Sequence, residues 1–125
     1  MLEKLTIKGT RETPEIVLDK ELGILKIEGR SLPENAFEFY TPTVNWLKEY
    51  NESPNKETNL NIYLEYLNSG SLKQLFRIIY LMEDLIEDGN ESHITWRFKK
   101  NDELMREKGL EFKQLLEIPI VLEEI

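Results

Sequence analysis

Two serines flank a glycine in Asn68-Ser69-Gly70-Ser71, and two cations, Lys73 and Arg77, follow at helical spacing. Just before them Leu60, Ile62, Leu64 and Tyr66 alternate with Asn61, Tyr63 and Glu65, the period-two pattern of a strand with one buried face. Just after them Leu72, Leu75, Phe76, Ile79, Met82 and Ile86 recur every three or four residues, as on an amphipathic helix. The hydroxyls therefore fall at a helix N-terminus, where unpaired N–H groups and the positive end of the macrodipole favour an anion, bound or covalent. A lysine in the first helical turn opposes that dipole, a modest cost that a phosphate would reverse. Either serine could instead be an N-cap, a role worth about 1 kcal/mol.

Other chemistry is largely excluded. The 125 residues include no cysteine and one histidine, so disulfides, thiolate nucleophiles and histidine-rich metal sites are ruled out. No metal and no cofactor is expected. His93, on the polar side of an alternating run, reads as a solvent-facing residue. Glycine-rich phosphate loops, HExxH and GxSxG are all missing, and His93 is the sole imidazole that could serve a serine nucleophile. The chain is not expected to be an enzyme. Sixteen basic against twenty-four acidic residues give a net charge of −8, which disfavours nucleic acid and anionic membrane as partners. A protein with a basic patch would gain association rate from that field. No apolar run reaches the roughly 18 residues of a membrane span and the first residues do not resemble a signal peptide, so a cytoplasmic protein is expected.

The elements that must position these residues follow from the pattern. Leu5 to Lys8, Glu15 to Asp19 and Ile24 to Glu28 read as short strands, the last two joined by a hairpin through Asp19 to Gly23. Thr10 and Thr13 are expected in turn-forming roles. A first helix is signalled by Ser31 and Glu34 at capping-box spacing with Pro33 in its first turn. Its stripe is Ala36, Phe37, Tyr40, Val44, Leu47 and Tyr50, and Pro42 predicts a kink or restart near Tyr40-Thr41. The second helix ends at Gly89, its last turns bearing Glu83, Asp84, Glu87 and Asp88 as a solvated face or, alternatively, a docking patch for a basic partner. A strand over Ser92 to Phe98, a third helix from Asn101-Asp102 interrupted at Gly109, and a closing strand over Ile118 to Leu122 complete the chain. The expectation is one α/β domain over residues 1–125, with a single mixed sheet of about six strands packed by three helices. Right-handed crossovers make its later strands parallel after an antiparallel start.

Gly29-Arg30-Ser31-x-Pro33-Glu34-Asn35-Ala36, followed by Phe39-Tyr40-x-Pro42 and Trp46-Leu47, resembles the SiaC family of bacterial regulatory phosphoproteins. The fold is similar to that of anti-sigma-factor antagonists, the STAS domain, in which a phosphorylatable hydroxyl also begins a helix after a central strand. In the SiaC family the segment after that strand typically reads Asn-Thr-Ser-Ser, with the threonine as phosphoacceptor and a lysine nearby. The resemblance therefore places the acceptor on Ser69, with Ser71 as the alternative, and Asn68, Gly70 and Lys73 around the phosphate. Arg30, Glu34 and Arg77 are candidates for a partner-binding surface, although Arg30 could simply pair with a carboxylate near the helix start. The resemblance further implies a cognate serine/threonine kinase, a PP2C-type phosphatase and, as output, a diguanylate cyclase activated by the unphosphorylated form. Two rival readings stand beside it. One is a constitutive protein-binding module in which Ser69 is only a cap. The other is a small-molecule-binding domain with a pocket lined by Tyr40 and Trp46.

Overall fold

A computed structural model describes residues 2–125. Six strands, β1 (Leu5–Ile7), β2 (Glu15–Asp19), β3 (Ile24–Ser31), β4 (Glu57–Leu67), β5 (Glu91–Phe98) and β6 (Ile120–Glu124), lie side by side in chain order in one sheet. β1, β2 and β3 pair antiparallel; β3, β4, β5 and β6 pair parallel, as the spacing predicted. The crossovers are α1 (Ala36–Tyr50), α2 (Ser69–Glu87) and α3 (Glu103–Leu115). Successive right-handed crossovers that each step one strand further put all three helices on one face. Leu25, Ile27, Leu60, Ile62, Ile94 and Trp96 are accordingly buried beneath the helices. Their alternates Lys26, Asn61, Tyr63, His93 and Arg97 are partly open on the other face.

Small turn devices fix the register. Asp19 Oδ1 accepts from the Leu22 N–H at 3.0 Å and Gly23 has φ +70°, closing the β2–β3 hairpin in a conformation glycine adopts without strain. Thr10 and Thr13 join hydroxyl to hydroxyl at 2.7 Å across the β1–β2 connection. Gly89 (φ +90°) follows the Asp88 C-cap of α2.

Several expectations are corrected. Ser31 is not a helix cap: β3 runs on through it, pairing Arg30 with Tyr66 and Ser31 with Leu67 past an irregularity at Gly29. A side chain carried in register into the sheet cannot also cap. The helix starts four residues later than the Ser31 signal, with Asn35 Oδ1 accepting from the Glu38 N–H at 3.0 Å, the same cap-to-third-residue spacing one turn on. α1 then passes through Pro42 without interruption. Pro42 and Glu38 are both exposed, so the Glu38 carbonyl that loses its donor is open to water. Nor does Gly109 interrupt α3. It lies on the buried face, where an added Cβ would stand 2.5 Å from Trp96 Cδ1 and from Leu122 Cδ2, so it is there for close packing. Phe37, Tyr66 and Ile86, read as members of buried stripes, are 59%, 54% and 41% exposed. Glu83 does more than solvate the end of α2, because its carboxylate accepts from the Glu117 and Ile118 N–H groups at 2.6 and 2.9 Å.

Candidate functional site

The β4–α2 junction is built from three segments that meet at the carboxyl ends of the parallel strands. Asn68 is the N-cap of α2, its Oδ1 accepting from the Ser71 N–H at 2.9 Å. Its Nδ2 donates to the Pro33 carbonyl at 3.1 Å, and its backbone N–H donates to the Ser31 carbonyl at 3.0 Å. One residue thus caps a helix while tying it to the β3–α1 connection. Gly70 brings the helices together: an added Cβ would lie 3.2 Å from the Ala36 Cβ at the start of α1.

The two serines receive opposite environments. Ser71 is fully buried and its Oγ donates to the Ser31 carbonyl at 3.0 Å. Ser31 Oγ donates to Ser71 Oγ at 2.7 Å, so with its one proton spent it accepts from the Tyr40 hydroxyl. A one-way chain results, from Tyr40 through Ser31 and Ser71 to the Ser31 carbonyl. Burial pushes the Tyr40 phenol up to about 12, outweighing the opposing hydrogen bonds of Ser31 and Ser71. Ser69, by contrast, is the first residue of α2 and exposed. The first turn of α2 holds no acidic residue, so no side chain of that turn neutralises its positive pole. Lys73 is exposed one turn further along the same ridge.

Around this turn lie two arginine–aromatic pairs. The Arg30 guanidinium sits 4.9 Å from the Tyr66 ring centroid and that of Arg77 5.2 Å from the Phe37 ring. Arg30 joins no ion pair among the described residues, so in place of the alternative carboxylate partner it has the tyrosine face. Glu34 is exposed on the chain between Pro33 and the α1 cap. Sequence reasoning placed Arg30 and Arg77 near the site and missed the rings beneath them. The available signal was position: Phe37 in the first turn of α1 and Tyr66 at the end of β4 both lie where an element leaves the core.

The rings proposed for a small-molecule pocket do not form one. Tyr40 is fully buried, and Trp46, stacked on Tyr50 at 5.2 Å, donates its indole N–H to the Glu3 carbonyl at 2.7 Å. Among the described residues no group of three or more carboxylates or imidazoles is arranged to hold a metal ion, and no helix is long and apolar enough to cross a membrane.

A family model described as SiaC family regulatory phosphoprotein matches residues 7–125. The chain belongs to the SiaC family. Its fold superposes with a TM-score of 0.90 on SiaC of Pseudomonas aeruginosa, at 27% identity and with 98% of this chain and 99% of the other covered. The same TM-score, at 28% identity over 97% of this chain and 99% of the other, relates it to a chain in the crystal structure of the diguanylate cyclase SiaD in complex with its activator SiaC, from that organism. An uncharacterised protein of P. aeruginosa strain UCBPP-PA14 is 28% identical over 98% of this chain and 97% of its own length. The mixed six-stranded sheet with three helices is thus the architecture of this SiaC family member and of its solved relatives.

Proposed function

We propose that this SiaC family member is a non-catalytic, cytoplasmic signalling adaptor over its whole described length, switched by phosphorylation of Ser69 and activating a diguanylate cyclase when unmodified. The observation that carries this reading is the contrast between the serines: Ser69 is exposed at an unneutralised helix N-terminus, while the Ser71 proton is committed inside the core. A kinase can reach only the first without unfolding the turn. The phosphate would add about −1.5 to −2 charges and three acceptor oxygens. Asn68 and Gly70 shape the turn, Lys73 supplies the nearest cation on the ridge, and Arg30, Glu34 and Arg77 belong to the partner-binding surface. A cognate serine/threonine kinase and a PP2C-type phosphatase would set the modified fraction. The activator role is taken from the P. aeruginosa SiaC–SiaD complex.

The test is intact-mass measurement after co-expression with the cognate kinase. One added phosphate, lost in Ser69→Ala and kept in Ser71→Ala, is the expected result. No addition, or one that survives Ser69→Ala, would turn the reading toward a constitutive binding module. Cyclase activity measured with the two phosphoforms then fixes the sign of the switch, with the unmodified form expected to activate.

A further inference from the structure

Leu104, Lys108, Glu111 and Leu115 are spaced four, three and four residues apart in α3, so they share one ridge of the helix. The core lies beside that ridge, because the buried residues of α3 are Met105, Gly109 and Phe112. Leu104 and Leu115, at the two ends, are 64% and 67% exposed. Between them Lys108 Nζ lies 3.7 Å from Glu111 Oε2. α2 runs alongside. Phe76 meets Phe112 with ring centroids 4.6 Å apart, and Glu83 holds the Glu117 N–H, so Tyr80, between Phe76 and Glu83 on α2, lies next to Leu115. Tyr80 is 54% exposed. One end of the ridge therefore offers an open leucine–tyrosine surface and the other a projecting leucine.

The order of types along the ridge, apolar, cation, anion, apolar, is its own complement when reversed. A second copy laid antiparallel across α3, on a two-fold axis passing between Gly109 and Leu110, sets Leu104 against Leu115 of the second copy and Lys108 against its Glu111. Each pair then occurs twice and no like charges of the ridge meet. A symmetric parallel arrangement would instead set Lys108 against Lys108. On the solvent side of the ridge the antiparallel axis brings Glu107 beside Gln114 of the second copy, both exposed, so no carboxylates face each other there. The helix that this ridge requires as its partner is present on the chain itself.

We propose that α3 is a homodimer interface, in which Leu104 of each copy seats on Leu115 and Tyr80 of the other and the Lys108 and Glu111 charges pair across the axis. So few contacts make a transient interface, of the kind that buries less than about 1,200 Å², and the dimer forms and dissociates with concentration. The proposal goes beyond the adaptor reading and does not rest on Ser69 or its modification.

Sedimentation of the full chain from about 10 μM to about 1 mM is expected to pass from monomer to dimer. Leu104→Ser removes an apolar contact at both ends of the dimer and is expected to weaken it by about tenfold or more. Charge exchange gives the sharper result. K108E and E111K each set like charges against one another across the axis, and each alone is expected to stay monomeric where wild type is dimeric. Mixed in equal amounts they restore two opposite-charge pairs and are expected to form a heterodimer. Because the mixture regains what each variant lost, a failure to fold cannot imitate this outcome. A wild-type chain that is monomeric at millimolar concentration overturns the proposal and leaves the ridge to a different partner. A dimer that survives Leu104→Ser, or a mixture of K108E and E111K that associates no better than either alone, overturns it as well.

Discussion

Ser31 and Ser71, forty residues apart in the chain, are joined twice: Ser31 Oγ donates to Ser71 Oγ at 2.7 Å, and Ser71 Oγ donates to the Ser31 carbonyl at 3.0 Å. Both residues are fully buried, so the pair clamps the end of β3 to the first turn of α2 directly behind Ser69. Truncation at Ser71 strands a buried donor, whereas truncation at Ser69 removes a hydroxyl that water already solvates. Ser71→Ala is expected to lower stability by about 1–3 kcal/mol in urea unfolding and Ser69→Ala to change it by about 0.5 kcal/mol or less. The reverse order would mean that Ser69 carries the structural role.

The chain of hydroxyls begins at Tyr40, which makes stability pH-dependent at the alkaline end. The phenol ionises at 10.0 when unperturbed and near 12 in the folded protein. A raised folded pKa leaves its contribution intact below pH 10, and that contribution is lost as pH rises toward 12, because the unfolded chain releases the proton first. The gap corresponds to about 3 kcal/mol by the upper end of that window. Urea midpoints measured across it should fall more steeply for wild type than for Tyr40→Phe. Parallel pH profiles would show that Tyr40 is not the group responsible.

How much of this was legible depended on whether a residue's role was local. The Leu60, Ile62 and Leu64 alternation and the Leu75, Ile79 and Met82 spacing arise from single elements facing one core, and the antiparallel start and parallel continuation of the sheet followed from such elements. Ser31 was misread because its spacing to Glu34 imitates a cap, while its partners, Leu67, Ser71 and Tyr40, come from elsewhere in the chain. Gly109 was misread for the same reason, since a helical glycine looks like a break until the indole across from it is known. At the site, hydroxyls and cations could be read by type. Their assortment into exposed Ser69 and buried Ser71, and of Arg30 onto Tyr66, required the sheet to bring β3 beside β4.

Gly109 yields a packing prediction. Alanine has the better helix propensity by about 1 kcal/mol, yet its Cβ would enter the space of the Trp96 indole, whose Nε1 donates to the Met105 carbonyl at 2.8 Å. The ring cannot yield without losing that bond. Gly109→Ala is therefore expected to destabilise by about 1–3 kcal/mol and to change tryptophan fluorescence. A stabilised variant with an unchanged spectrum would mean that α3 simply lifts away.

Asn68 offers the sharpest separation of shape from charge at the β4–α2 turn. Its Oδ1 caps α2 through the Ser71 N–H, and its Nδ2 holds the Pro33 carbonyl. Asn68→Ala removes both and is expected to cost about 1–2 kcal/mol. Asn68→Asp keeps the cap acceptor and adds a carboxylate at the positive helix end, favourable by about 0.3–1 kcal/mol, but turns an oxygen toward the Pro33 carbonyl where a donor stood. Its stability should fall between wild type and Asn68→Ala, with amide exchange at Gly70 to Leu72 accelerated in the alanine variant and nearly native in the aspartate one. If both variants exchange alike, the bond to Pro33 and not the cap holds the turn. The β3–α1 connection would then set the orientation in which Ser69 is presented.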